Sequence, residues 1–195
     1  EIKEYLESLG MPLINWMPTK NEPIPDEAKG LIIPGGFPEQ FAEEISHASK
    51  SLKSIQIFFG KHPIYAECGG MLLLGKSLQG LDGKSYPMSN LLPFNAQKGS
   101  LKVGYRTLRA LKDSLILNKG DELIGHEFHY WEVNNINSKS IRNDDYKSFY
   151  PWEIEGWKIN SFQEGWANNH LHASWIHLHW PSSSKIMVKW FEAVK

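Results

Sequence analysis

The chain carries one cysteine, in the run Pro63-Ile64-Tyr65-Ala66-Glu67-Cys68-Gly69-Gly70. Ile64 to Ala66 is a short apolar stretch that reads as a buried strand, and Met71 to Leu74 starts a helical pattern just beyond the glycine pair. A thiol at a sharp strand-to-helix junction is thrust clear of the sheet, which is where α/β enzymes set a nucleophile. The amino end of the following helix favours the thiolate, the reactive form. Glycine directly after the thiol tolerates strained dihedrals and leaves the backbone N–H of Gly69 free to face an oxyanion. The bland alternative is a small buried hydrophobe, the commoner fate of a free cysteine.

Two further features bear on that thiol. A second glycine pair, Gly35-Gly36, follows the apolar triplet Leu31-Ile32-Ile33. It reads either as a tight turn or as the source of a second oxyanion N–H beside Gly69. A thiolate nucleophile also needs a histidine as proton partner. Six of the eight histidines lie between His126 and His179. The pairs His170/His172 and His177/His179 have the spacing that puts two imidazoles on one face of a strand. That spacing suits a transition-metal site and equally suits half-buried structural histidines.

The elements that must position these groups follow from periodicity. Ile2, Tyr5, Leu6 and Leu9 mark one face of an opening helix, with Gly10 as its C-terminal cap. Leu13 to Trp16 reads as a short strand, Pro18 to Asp26 as a polar connection, Leu31 to Ile33 as a buried strand and Pro38 to Phe59 as a helix. This βαβ rhythm predicts a parallel sheet with helices on both faces and a site at the strand carboxyl ends. The second half differs. Val103, Tyr105 and Thr107, and then Ile124, His126, Phe128 and Tyr130, alternate as antiparallel strands do. Asn134 to Lys147 reads as an exposed loop, Ile154 to Ile176 as more β structure, and Ser182 to Ser184 as caps for a last helix striped by Ile186, Met187, Trp190, Phe191 and Val194.

The bulk properties exclude several classes. With 195 residues and a formal net charge of −1, the chain gives no electrostatic reason to expect nucleic acid or an anionic membrane as partner. No apolar run approaches the roughly 20 residues of a membrane span. A single cysteine makes no internal disulfide, so a reducing, cytoplasmic compartment is expected. The G-x-x-x-x-G-K-[ST] phosphate loop is missing.

Four blocks together carry a family resemblance: Leu31-Ile32-Ile33-Pro34-Gly35-Gly36-Phe37-Pro38-Glu39, Tyr65-Ala66-Glu67-Cys68-Gly69-Gly70-Met71, Gly125-His126-Glu127-Phe128-His129-Tyr130 and Ala173-Ser174-Trp175-Ile176-His177-Leu178-His179-Trp180. In this order, and over nearly the whole chain, they resemble the cobyrinic acid a,c-diamide synthases, in their C-terminal glutaminase domain of the class I glutamine amidotransferase type. The resemblance implies an α/β fold, flavodoxin- or Rossmann-like: a mostly parallel sheet flanked by helices, with antiparallel additions in the second half. It implies that residues 1–195 form one glutaminase domain lacking its first strand and the upstream ATP-binding domain.

For the site, the resemblance implies Cys68 as nucleophile on the glutamine side-chain amide, His177 as general base and acid, and Gly36 and Gly69 as backbone oxyanion donors. His126, Glu127, His129 and Tyr130 become candidate substrate or domain-interface residues. A glutamyl thioester forms and is hydrolysed. Ammonia passes to a synthetase domain that uses ATP and magnesium to activate the a and c carboxylates of a corrin, while the glutaminase domain itself needs no cofactor or metal. One position departs from the usual triad. Most triad glutaminases place a glutamate two residues beyond the histidine, where this chain has His179. The third member is therefore left open between a backbone carbonyl and a distant acid. Two other readings stand beside this one: a non-catalytic binding module of the same fold, and a metal-binding protein built on the His-x-His pairs.

Overall fold

The computed structural model describes residues 2–135 and 149–195. Three short strands form its parallel part. β1 (Leu31–Ile33) pairs with β2 (Ile64–Glu67), and β2 pairs with β9 (Leu171–Ser174). The residues of β2 alternate between two cores, as a doubly covered strand must. Ile64 and Ala66 face α2 (Ala42–His47), α3 (Ser49–Phe59) and α4 (Gly69–Leu72). Tyr65 faces α1 (Ile2–Ser8) and α5 (Ser184–Ala193). Helices therefore cover both faces of β2, and the α/β class stands.

The sheet then continues beyond β9 through antiparallel strands. β8 (Phe162–Ala167), β7 (Phe149–Glu155) and the long β5 (Phe94–Ala110) follow in that order. Beyond β5 lie β3 (Ser77–Gln79), parallel to it, and β4 (Ser85–Pro87). β6 (Glu122–Asn135) runs antiparallel to β5 and also receives the two-residue β10 (His177–Leu178). Among the described residues, parallel pairing is confined to β1–β2–β9 and β3–β5. The antiparallel additions expected in the second half supply the remaining pairings.

Local outcomes correct three readings. Leu13–Trp16 forms no strand; Leu13 and Ile14 are exposed, and the Trp16 indole instead donates to the Glu22 carbonyl at 2.9 Å. The helix expected over Pro38 to Phe59 breaks into a 3-10 turn at Pro38–Phe41 and the helices α2 and α3. The break falls at Ala48, whose ψ of 61° lies outside the helical well. Ser183 occupies the N-cap of α5, but its side chain makes no capping hydrogen bond. Asn134 lies in β6, and residues 136–147 of the expected loop fall outside the described residues.

The turn after β1 and the start of α4 lie against each other. A Cβ on Gly69 would overlap the Gly36 carbonyl, and one on Gly70 would overlap the carbonyls of Ile33 and Pro34. These contacts are with backbone, which has little room to yield. Gly36 has open space where its Cβ would go. Gly70→Ala is therefore expected to destabilise the fold by about 1–3 kcal/mol, and Gly36→Ala by less than about 0.5 kcal/mol, in paired chemical denaturation curves.

Candidate active site

Cys68 sits between β2 and α4 at φ 48°, ψ −121°. A positive φ is a strained choice for any residue with a Cβ, and costs on the order of 1–3 kcal/mol unless the surroundings enforce it. Here they do: the Cys68 N–H donates to the Ser174 carbonyl at 2.7 Å, and Gly69 and Gly70 pin the helix start against the turn after β1. The helix-terminus argument for the thiolate is weaker than expected, because α4 has only four residues and few aligned peptide dipoles. The group beside the sulfur that can carry full charge is a histidine.

That histidine is His177. β10 hangs it from the edge of β6, opposite His126. It lines the same cavity as Cys68, whose side chain raises the proton affinity of its ring. Its Nδ1 lies 3.2 Å from Glu67 Oε1, which leaves Nε2 for the sulfur. The other Glu67 oxygen accepts from the Tyr65 hydroxyl at 2.7 Å and from the Leu178 N–H at 3.4 Å. Burial first, and then the Glu67 charge, hold the Tyr65 phenol well above its ordinary range, so it acts as a donor. The hydrogen bonds to Cys68 and then to Glu67 outweigh burial and push His177 up to about 10. Where the sequence left a third group open, the structure sets the carboxyl of Glu67, the residue next to the cysteine, against His177. The signal was present, since Tyr65 and Glu67 share one face of a strand ending at the thiol.

Cys68 and His177 open on a cavity of about 290 Å³, which Gly36, Gly69, Glu39, Phe128, Tyr130 and Trp175 also line. The sulfur lies 3.5 Å from the Phe128 carbonyl. A larger cavity of about 500 Å³, lined by Thr107, Ile124, His179 and Ile186 among others, contains neither the thiol nor His177.

The Gly125–Tyr130 block divides by strand alternation. His126 packs edge-on to Tyr105, with ring centroids 5.3 Å apart, and does not line the cavity. Glu127 is buried and accepts from Arg106 Nε at 2.7 Å and from His129 Nε2 at 2.9 Å. Burial alone would raise its pKa, but the hydrogen bonds from His129 and Arg106 hold it below the ordinary carboxylate range. His129 Nδ1 faces the Trp131 carbonyl at 2.6 Å, and its ring stacks on Trp175 at 3.8 Å. Both ring contacts are hydrogen bonds only when both nitrogens carry hydrogen. Tyr130 is half exposed at the cavity rim.

A second buried carboxyl lies behind the wall. Glu164 accepts from Ser174 Oγ at 2.5 Å, Trp152 Nε1 at 2.7 Å and the Trp175 N–H at 3.2 Å, while burial raises its pKa. It holds the connection from β9 to β10 that delivers His177. The sequence did not single out Arg106 or Glu164, since their relevance depends on which strands become neighbours.

The His-x-His pairs do not form shared sites. His172 is fully buried, stacked on Tyr65 at 4.9 Å, and desolvation lowers it to about 3, whereas His170 is exposed. His179 lies beyond β10 and is exposed. Among the described residues, no group of three or more His, Cys, Asp or Glu side chains could hold a metal ion. No described helix is long and apolar enough to cross a membrane.

The fold has a counterpart among solved structures. A structure described as a glutamine amidotransferase superposes with a TM-score of 0.58, covering 98% of this chain and 91% of that one at 13% identity, a likeness of fold alone. The sequence profile of the CobB/CobQ-like glutamine amidotransferase domain matches residues 4–185, and the chain belongs to that family. Among curated relatives, the cobyrinate a,c-diamide synthases of Priestia megaterium and Caldanaerobacter subterraneus are 34% and 33% identical over 98% and 91% of this chain. The hydrogenobyrinate a,c-diamide synthase of Mycobacterium bovis is 30% identical over 92%. The chain spans 40%, 38% and 36% of the length of these three relatives.

The Glu67–His177–Cys68 contacts have a readable titration. Removing either neighbour takes away a stabiliser of the imidazolium, so the histidine must move down in pH. In an NMR titration, His177 should stay protonated through neutral pH in the wild type. Its midpoint should fall towards the ordinary 6.5 in Glu67→Gln, and further in Cys68→Ala, because the sulfur is the larger cause. The stability gained from this raised pKa is complete below pH 6.5 and is lost as pH rises through about 10.

Proposed function

We propose that this chain hydrolyses glutamine at Cys68 and supplies the ammonia to a synthetase part of the same enzyme. The single observation that carries the reading is His177 placed between the Cys68 sulfur and the Glu67 carboxylate. In the step proposed, the Cys68 thiolate attacks Cδ of glutamine while the backbone N–H groups of Gly36 and Gly69 receive the oxyanion. The C–N bond breaks as the His177 imidazolium gives its proton to the leaving nitrogen, and ammonia departs. The neutral imidazole then takes a proton from water. The resulting hydroxide attacks the glutamyl thioester, glutamate leaves, and the thiolate–imidazolium pair returns. Glu67 keeps the ring in the tautomer with Nδ1–H throughout. No metal or cofactor enters this half of the reaction.

The relatives supply the proposed destination. They are named for amidation of cobyrinate or hydrogenobyrinate, and the part of them that this chain does not match is more than half their length. We assign to that part the ATP- and magnesium-dependent activation of corrin a and c carboxylates, with the cytoplasm as the compartment that keeps Cys68 reduced. The face presented to it is the outer side of β5 and β6. There Val103 lies opposite Phe128, Tyr105 opposite His126 and Thr107 opposite Ile124. Tyr105 is 76% and Ile124 70% exposed. This face runs into the cavity through Phe128 and Tyr130, so a partner seated on it covers the exit of the ammonia.

Cys68→Ala is expected to lower glutamine hydrolysis by about 10³-fold or more, measured as glutamate release. Hydrolysis by the alanine variant at the wild-type rate would remove the thiol from the mechanism.

A further inference from the structure

Of the four most buried carboxyls around the site, three are fully supplied with donors. Glu67 has Tyr65, His177 and Leu178; Glu127 has Arg106 and His129; Glu164 has Ser174, Trp152 and Trp175. Glu39 differs. It is the second residue of the turn Pro38–Phe41 and is only 8% exposed, yet among the described residues its carboxyl receives a hydrogen bond from its own backbone N–H alone. That one bond does not offset the desolvation, so burial raises its pKa. A buried carboxylate without a cation is costly, and the cost is relieved when a ligand brings one. Glu39 lines the same cavity as Cys68 and Gly36.

We propose that Glu39 receives the α-ammonium group of glutamine, so that the pocket selects a free α-amino acid over side-chain amides at large. The proposal rests on the glutaminase reading of the site and deepens it by naming a specificity residue. With Cys68 bonded to Cδ, the α-nitrogen of an extended glutamine lies four bonds away, roughly 5 Å at ordinary bond lengths, within the reach of a cavity of this size. The pairing gives the ammonium a charge-assisted partner and gives Glu39 the donor it lacks. A carboxamide, or an amide buried in a peptide, brings no cation and leaves Glu39 unpaired, which is the strongest form of discrimination a buried polar group offers.

The test compares two reagents that alkylate the same thiol. 6-Diazo-5-oxo-L-norleucine carries the α-ammonium of glutamine; iodoacetamide carries no charge. Second-order labelling rates at Cys68, read by mass spectrometry, are compared in the wild type, Glu39→Gln and Glu39→Asp. The proposal expects Glu39→Gln to slow the amino-acid reagent by about 10- to 100-fold, to leave the iodoacetamide rate within about twofold, and to be partly rescued in Glu39→Asp. Equal rates for the amino-acid reagent in wild type and Glu39→Gln overturn it. So does an equal slowing of both reagents, which would place the effect on the thiol. Failure of the amino-acid reagent to label wild-type Cys68, while iodoacetamide succeeds, overturns the glutaminase reading itself and the proposal with it.

Discussion

The carboxylate of Glu67 and the thiol of Cys68 act on one imidazole, although the two residues are neighbours in sequence. In a continuous strand, adjacent side chains point to opposite faces and could not meet the same ring. The positive φ at Cys68 resolves the conflict, because it ends the strand and swings the sulfur around to the side where His177 stands. Much of the local architecture follows from that requirement. The twist must be held, and the Cys68 N–H to Ser174 carbonyl bond holds it. The helix that follows must start hard against the turn after β1, and only glycine at positions 69 and 70 permits that approach. His177 must hang at a fixed distance, and its pairing with β6 and the Glu164-held connection behind it provide that.

The electrostatics of the site follow the same geometry. His177 gains its affinity for a proton from two acceptors, the sulfur and the Glu67 oxygen, and the pair of them outweighs burial. Glu67 stays fixed because Tyr65 and Leu178 take its second oxygen. The Arg106–Glu127–His129 network forms a separate buried layer beside it, whose outer member stacks on Trp175 and forms part of the cavity wall. Removing one partner from such a layer leaves a buried charge without compensation, at a cost of about 3–5 kcal/mol.

What the sequence disclosed was what local chemistry controls. The strand at Ile64, the turn at Cys68 and the alternation in β5 and β6 are each written within about ten residues, and the structure holds all of them. Features that depend on distant partners were not legible. Leu13 to Trp16 has strand composition but finds no strand to pair with, because the Trp16 indole is taken up by the loop that follows. His170 and His172 share a spacing but not an environment, since only His172 lies under Tyr65. Glu67 was hidden for another reason. The usual pattern seeks the acid after the histidine, and here the acid comes from a strand 110 residues earlier, supplied by the chain's topology.

In the proposed mechanism Glu67 orients His177, and saturating glutamine turnover by Glu67→Gln tests that role directly. The amide keeps the size of the side chain but can turn a donor towards Nδ1 and stabilise the wrong tautomer. The expected result is a fall in kcat of about 10²- to 10⁴-fold, with KM for glutamine changed little because Glu67 does not line the cavity. A Glu67→Gln protein that folds and turns over glutamine at the wild-type kcat would contradict it.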